Sequence, residues 1–113
     1  MAGFHNLIIY QLARHNLRDV AAITASTQGF GDLTNQMRRA AISVVSNICE
    51  GSGHDSSKQL IRFLITARAS NLELQAQLTI LADLGHIPHD HPIHDRCDHA
   101  GRSISKLIRR LSG

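Results

Sequence analysis

Aromatic residues are scarce in this chain of 113 residues, and their scarcity narrows the possible folds. Tryptophan is absent, and the only aromatic residues are Phe4, Tyr10, Phe30 and Phe63. A core must therefore be built from Leu, Ile, Val and Ala side chains, which suits helices packed on helices better than a β-sandwich. The length predicts a single domain, residues 1–113, with one modest core.

Proline, cysteine and long apolar runs are also scarce. Pro88 and Pro92 lie close together, so long helices can run without interruption on either side of them. No apolar run is long enough to span a membrane, and the N-terminus lacks the pattern of a signal peptide. Cys49 and Cys97 both fall within helical patterns. We therefore expect a cytoplasmic protein with reduced thiols and no membrane partner.

The hydrophobic periodicity indicates helices throughout. Asp32 or Thr34 can cap the second helix, and Gly51 can end it. Since no segment alternates like a strand, the prediction is an all-α fold, an antiparallel up-down four-helix bundle. Apolar residues at steps of three and four predict helices over about residues 7–27, 33–50, 57–84 and 95–111.

The third predicted helix has two apolar faces. Its start, "SSKQ" at 56–59, has the form of a capping box, and Gly85 lies where a left-handed C-cap belongs. A monomeric bundle needs one buried face per helix, so the second face predicts an interface with other copies. The alternative is that the helix is central and that both faces are covered within one chain. The predicted oligomer interface consists of Ile61, Ile65, Ala69, Leu72, Ala76 and Ile80.

Polar side chains recur at helical spacing on the second and third helices. If these helices form a hairpin, residues whose numbers sum to about 108 lie level, which places Arg39 near Ser70 and Glu50 one turn from Arg62. We expect this polar seam to fix the register of the helices through paired charges. A pocket for an anion or an RNA phosphate, using Arg38 and Arg39, is the alternative. The predicted seam consists of Gln36, Arg39, Ser43, Asn47, Glu50, Arg62, Ser70 and Glu73.

Positive charge is concentrated near the C-terminus. Residues 102–113 carry four positive charges and no acid, whereas residues 71–101 sum to minus four. Such a basic face favours nucleic-acid binding, although most charged helix faces are merely solvated. No aromatic residue lies among the basic ones, so binding would be to the backbone and tolerant of sequence. The candidate nucleic-acid-binding residues are Arg96, Arg102, Lys106, Arg109 and Arg110.

The segment "HIPHDHPIHDRCDH", residues 86–99, is rich in histidine. Histidines suit zinc or nickel and can respond to pH, which makes His86, His89, His91 and His94 weak candidates for a metal site. Their spacing matches no metal motif, so a polar surface loop without metal is the prediction. The glycines of "GFGD" and "GSGHDS" belong to turns and form no phosphate-binding loop. We therefore predict neither an enzyme nor a cofactor.

The segment "NQMRRAAISVVSNICEGSG", followed by "SSKQLIRFLITARASNLELQAQLTILADLGHI", resembles the family named for the 23S ribosomal-RNA intervening-sequence protein. The chain departs from the family pattern at Cys49 for Ala, at Ala69 for Gly and at His86 for an aromatic residue. The matching positions are Gln36, Arg38, Arg39, Ala40, Ser43, Asn47, Ile48, Glu50, Gly51, Ser70, Glu73, Leu74, Leu84 and Gly85.

The resemblance implies an oligomeric helical bundle, which in known relatives is a five-fold barrel, and it brings no enzymatic activity. A related protein, the accessory variability determinant of diversity-generating retroelements, binds nucleic acid and a reverse transcriptase. We therefore expect a ring-like homo-oligomer, a pentamer by this resemblance, that acts as a scaffold or adaptor for RNA, DNA or a nucleoprotein. The alternative is a metal- or pH-responsive oligomer that uses loop 86–99.

Overall fold

The computed structural model describes residues 4–113, with side chains from Leu7 onward. This part of the chain contains only α-helices and turns, which confirms the all-helical prediction. Within the same residues, no helix is long and apolar enough to cross a membrane. The helices are α1 (Phe4–Ala25), α2 (Gly31–Ser52), α3 (Ser57–Asp83) and α4 (Pro92–Ser112).

The ends of α3 follow the local signals in the sequence. Ser56 is the N-cap, and its hydroxyl accepts a hydrogen bond from the Gln59 amide at 3.1 Å. At the other end Gly85 has a φ of 85°, in the left-handed region. The Gly85 amide donates to the Ala82 carbonyl, and the next amide along the chain donates to the Leu81 carbonyl, both at 3.0 Å. These bonds form a Schellman motif and confirm the predicted caps.

The start of α2 differs from the prediction that Asp32 or Thr34 caps it. Phe30 occupies the N-cap position, and no side chain caps the helix there. Both predicted caps lie inside the first turn. Asp32 Oδ2 accepts from the side-chain Nε2 of Gln36 at 2.8 Å, and the Thr34 hydroxyl donates to the Gly31 carbonyl at 3.0 Å. The helix thus begins earlier than the apolar pattern indicates, because a polar first turn adds nothing to that pattern.

α4 also begins before its expected start at residue 95, at Pro92. Proline fits the first turn of a helix, where its missing N–H would have no partner within the helix. His91 is the N-cap, and its Nδ1 accepts from the Ile93 amide at 3.0 Å. Pro92 therefore begins α4.

Each helix packs against two others. α1 contacts α2 and α4, and α3 contacts the same two helices. The core has two buried clusters along the 44 Å long axis of the molecule. One includes Val20, Met37, Leu74, Leu78, Leu81, Ile93 and Cys97. The other includes Ile9, Val44, Ile48, Leu60, Leu64, Ile104 and Leu107.

The prediction that Gly51 ends α2 is wrong. The helix continues to Ser52, and Gly51 is buried against α3. A Cβ atom at this position would lie 2.9 Å from Cβ of Phe63 and 3.0 Å from Cδ1 of Leu60. The glycine therefore serves the close approach of two helices, not the end of one.

The register of α2 and α3 also differs from the expected one. Ser43 Oγ and Ser70 Oγ are 2.7 Å apart, so residues in contact have numbers summing to about 113, not 108. The last residue of α2 and the first of α3, Ser52 and Ser57, already sum to 109. Helical side chains also lean towards the N-terminus of their own helix, so residues that touch are not level at their Cα atoms. Arg39 consequently lies about one helical turn away from Ser43, the residue that contacts Ser70.

Candidate nucleic-acid interface

An open groove of about 710 Å³ runs between α3 and α4. Four of its side chains are cationic, and Asp98 is its only carboxylate, which leaves four positive charges against one negative. The lining residues are Arg68, Leu72 and Gln75 from α3, and Asp98, His99, Gly101, Arg102, Ser103, Ser105, Lys106 and Arg109 from α4.

The cations of α4 reach the groove because of their helical spacing. Arg102, Lys106 and Arg109 follow one another at steps of four and three, which places them on one face of the helix. The buried residues Ile104 and Leu107 occupy the face towards the core. These three cations are predicted residues that the structure brings together in one groove.

Of the four cationic residues in the groove, Arg68 is the one that the sequence analysis did not name as a candidate. It lies on α3, is half-buried, and donates from Nη1 to Ser105 Oγ on α4 at 3.3 Å. The spacing of the sequence places Arg68 on a polar side of α3, between its two apolar faces. Only the packing of α4 beside this polar side makes Arg68 part of a basic site.

The charges of the groove are partly compensated by an ion pair. Arg102 Nε lies 2.9 Å from Asp98 Oδ2, one turn earlier on α4. Both side chains are mostly exposed, so water and salt screen their attraction strongly. An incoming anion can therefore replace Asp98 as the partner of the Arg102 guanidinium. Within the described residues, Arg68, Lys106 and Arg109 are in no ion pair.

Gly101 brings the two groove helices close together. A Cβ atom there would lie 3.0 Å from Nδ2 of Asn71, the buried amide that donates to the Cys97 carbonyl at 2.9 Å. Glycine in a helix interior costs about 1 kcal/mol relative to alanine. The hydrogen bond between α3 and α4 at this place offsets part of that cost.

Arg96 and Arg110 lie outside the groove lining. Arg96 Nη1 donates to Asp19 Oδ2 at 2.7 Å and to Asn16 Oδ1 at 3.2 Å. The side chain is only 15% exposed, so its charge joins α4 to α1 instead of facing solvent. Arg110 is exposed on α4. The structure thus brings three of the five predicted cations to the groove.

The second apolar face of α3 is uncovered in the single chain. Ile65, Leu72 and Ile80 are 45%, 61% and 47% exposed. Ile61 differs, because it is half-buried and packs on the core cluster around Leu60. The exposed residues form what we call the α3 strip: Ile65, Ala69, Leu72, Ala76 and Ile80. Leu72 belongs both to this strip and to the groove.

A family match covers almost all of the chain that forms these helices. Residues 5–109 match the family described as the 23S rRNA-intervening sequence protein. The chain belongs to that family. It is also similar to the crystal structure of a protein with unknown function from the S23 ribosomal protein family of Bacteroides thetaiotaomicron. The TM-score is 0.84 at 14% identity, over 94% of this chain and 99% of the other. No curated protein matches the chain.

The polar seam of this 23S rRNA-intervening sequence family member contains several hydrogen bonds. Ser43 bonds to Ser70 between α2 and α3, and Asn47 donates to the Ser43 carbonyl at 2.8 Å. Glu73 accepts from Gln77 at 3.1 Å within α3. The remaining seam residues, Gln36, Arg39, Glu50 and Arg62, are exposed. Among the described side chains, no ion pair joins α2 to α3.

The expected loop 86–99 is helical from Pro92 onward, and the four candidate histidines of this segment contact separate partners. His86 makes an edge contact with Phe30, and His89 Nε2 lies 2.8 Å from Asp83 Oδ1. His91 caps α4, and His94 Nε2 lies 3.1 Å from the Pro88 carbonyl. Among the side chains described, from Leu7 onward, no three of His, Cys, Asp or Glu are arranged to hold a metal ion.

Cys97 is a thiol of α4 that is buried in the core. Burial raises its pKa from an ordinary 9.0 to about 12, while nearby Arg96 lowers the pKa and Asp19 raises it by smaller amounts. The unfolded chain ionises this thiol above about pH 9, whereas the folded chain keeps it protonated. The stability that the neutral thiol contributes is therefore complete below pH 9 and is lost as the pH rises towards 12.

Between about pH 8 and pH 10 we expect this thiol to reduce the free energy of unfolding by about 1 kcal/mol. Urea unfolding under reducing conditions at both pH values measures the loss. A Cys97→Ala variant lacks the titrating thiol. Its free energy of unfolding is therefore expected to fall by about 1 kcal/mol less between these two pH values. Cys49→Ala, at the exposed cysteine, is the control and should follow the unmodified chain. Equal pH dependence in all three proteins would contradict the assignment.

Proposed function

We propose that this protein is a non-enzymatic, cytoplasmic, homo-oligomeric scaffold that binds the backbone of a nucleic acid in the groove between α3 and α4. One observation carries the proposal: Arg68, Arg102, Lys106 and Arg109 converge on a single groove. Lysine and arginine are the side chains that neutralise phosphates and release their counterions. Ser103, Ser105 and Gln75 add hydrogen-bond donors for phosphate oxygens on the same surface.

The groove favours contacts to the phosphate backbone over contacts to bases. Among the described side chains no Phe, Tyr or Trp lines it, and the imidazole of His99 is its one aromatic ring, so it offers little surface for base stacking. Binding should therefore tolerate many sequences and depend steeply on salt. Because the family is named for an intervening sequence in 23S rRNA, RNA is the first nucleic acid to test.

The α3 strip supports self-association of the scaffold. It exposes three large apolar side chains along a single helix, as interfaces do. Contacts between residues 43 and 70 and between 51 and 63 support an antiparallel α2–α3 pair in each copy. The family resemblance makes a ring of five copies the assembly that we expect.

Replacing Arg102 and Arg109 by glutamine is expected to weaken RNA binding about tenfold at low salt, because two phosphate contacts are lost. For a single strand, log Kd changes by about 0.7 per contact for each unit of log salt, so the slope should fall by about 1.4. Fluorescence anisotropy of a labelled RNA of mixed sequence, between roughly 50 and 200 mM salt, measures both quantities.

The matched control replaces Arg14 and Arg18 of α1 by glutamine, because none of the described side chains of that helix lines the groove. This control removes the same net charge. Its RNA affinity is expected to fall much less than that of the groove variant. Equal losses in the two variants would show that only overall charge matters, and the groove assignment would then fail.

A further inference from the structure

We infer that a second copy seated on the α3 strip forms the outer wall of the basic groove, so that assembly and nucleic-acid binding strengthen each other. This inference rests on the proposed function and adds regulation of the same site. In the single chain the lining residues of the groove come from α3 and α4, and Leu72, which is 61% exposed, is the lining residue that also belongs to the strip.

Helical geometry places the strip beside the groove. At about 100° per residue, the strip points roughly opposite to the buried residues Leu74 and Leu78 of α3. The groove residues Arg68 and Gln75 lie roughly 90° from the centre of the strip, on the side facing α4. A molecule covering the strip therefore stands next to the groove without filling it.

The pattern of the strip favours a copy of the same chain as its occupant. The large side chains of Ile65, Leu72 and Ile80 alternate with the small ones of Ala69 and Ala76. Large residues of one helix can therefore enter the hollows over the alanines of another helix with the same pattern. Such a surface is complementary to itself.

Two physical effects give the coupling a positive sign. A copy over Leu72 excludes water beside Arg68, and the attraction between a guanidinium and a phosphate grows as the local dielectric constant falls. Each chain also has a formal net charge of +3, so approaching copies repel each other until bound phosphates neutralise the grooves. By linkage, the factor by which assembly tightens RNA binding equals the factor by which RNA tightens assembly.

The test compares the full chain with the variant Ile65→Ser plus Ile80→Ser, which changes two strip residues outside the groove lining. The probe is a fluorescein-labelled RNA hexanucleotide, short enough to restrict bridging between grooves. We expect the unmodified, assembled chain to bind it about tenfold more tightly per groove than the serine variant, within the range of coupled sites. Sedimentation velocity measures the protein concentration at which half of the unmodified chain is assembled. RNA should lower this concentration by the same factor.

Two further variants complete the design. Ile65→Leu plus Ile80→Leu keeps the strip apolar and is expected to retain assembly and RNA affinity. Arg102→Gln plus Arg109→Gln lowers the net charge of each chain from +3 to +1, so it is expected to assemble without RNA at least as readily as the unmodified chain and to respond less to RNA. If the unmodified chain assembles but binds no RNA, the proposed function fails. If it does both, but the serine variant binds RNA equally or more tightly, the coupling alone is overturned.

Discussion

The variant Ile65→Ser plus Ile80→Ser is expected to be a folded monomer at concentrations where the unmodified chain is assembled. Both isoleucines are about half exposed in the single chain, so their apolar surface becomes buried only when another copy covers it. Fully burying such a side chain contributes about 1.5–3 kcal/mol, so covering its exposed half contributes about half as much. Losing two of them is therefore expected to weaken association by about tenfold to 100-fold.

Light scattering at micromolar concentration measures the mass that decides this prediction. Folding should be nearly unaffected, because exposed positions usually change stability by less than about 0.5 kcal/mol. The control with leucine at both positions should keep the mass of the unmodified chain. A monomeric unmodified chain at these concentrations would contradict self-association itself. An assembled serine variant would show instead that another surface holds the copies together.

The sequence predicted α3 well because the signals for this helix are local. A serine that caps the first turn and a glycine with a positive φ determine the ends from within a few residues. The two apolar faces of α3 follow from helical periodicity alone. Periodicity left open whether both faces are covered within one chain, and the structure shows that Ile65, Leu72 and Ile80 of the second face are exposed.

The sequence did not show which residues meet across helices. A basic face on α4 could be read from spacing, but nothing local indicates that Arg96 bonds to Asp19 of α1. Likewise, Arg68 lines the groove only because α4 packs beside the polar side of α3 on which Arg68 lies. The error in the α2–α3 register has the same origin, since the lean of side chains and the packing of the helices determine contact positions.

Gly51 shows how one residue type can carry two structural meanings. A glycine at the end of an apolar pattern usually marks the end of a helix, where a left-handed residue is needed. Here the backbone stays helical through Gly51, and the missing side chain makes room for Phe63. Only the partner helix distinguishes these two cases, so the local sequence could not.

Replacing Gly51 by alanine is expected to lower the free energy of unfolding by about 1–2 kcal/mol, and replacement by valine by about 3 kcal/mol. The added Cβ would lie 2.9 Å from Cβ of Phe63, an atom fixed to the backbone of α3, so the two helices must move apart. That movement loosens the packing around Leu60 in the core. The higher helix propensity of alanine, about 1 kcal/mol, offsets only part of the loss.

Urea unfolding followed by circular dichroism at 222 nm measures these changes. Gly31→Ala is the matched control, because Gly31 is also in α2 and a Cβ atom there meets nothing within 4 Å. It is expected to leave stability unchanged or slightly raised, through the helix propensity of alanine. If Gly51→Ala stabilised the chain as Gly31→Ala does, the close approach of α2 and α3 at Phe63 would be refuted. The glycine would then need an explanation other than packing.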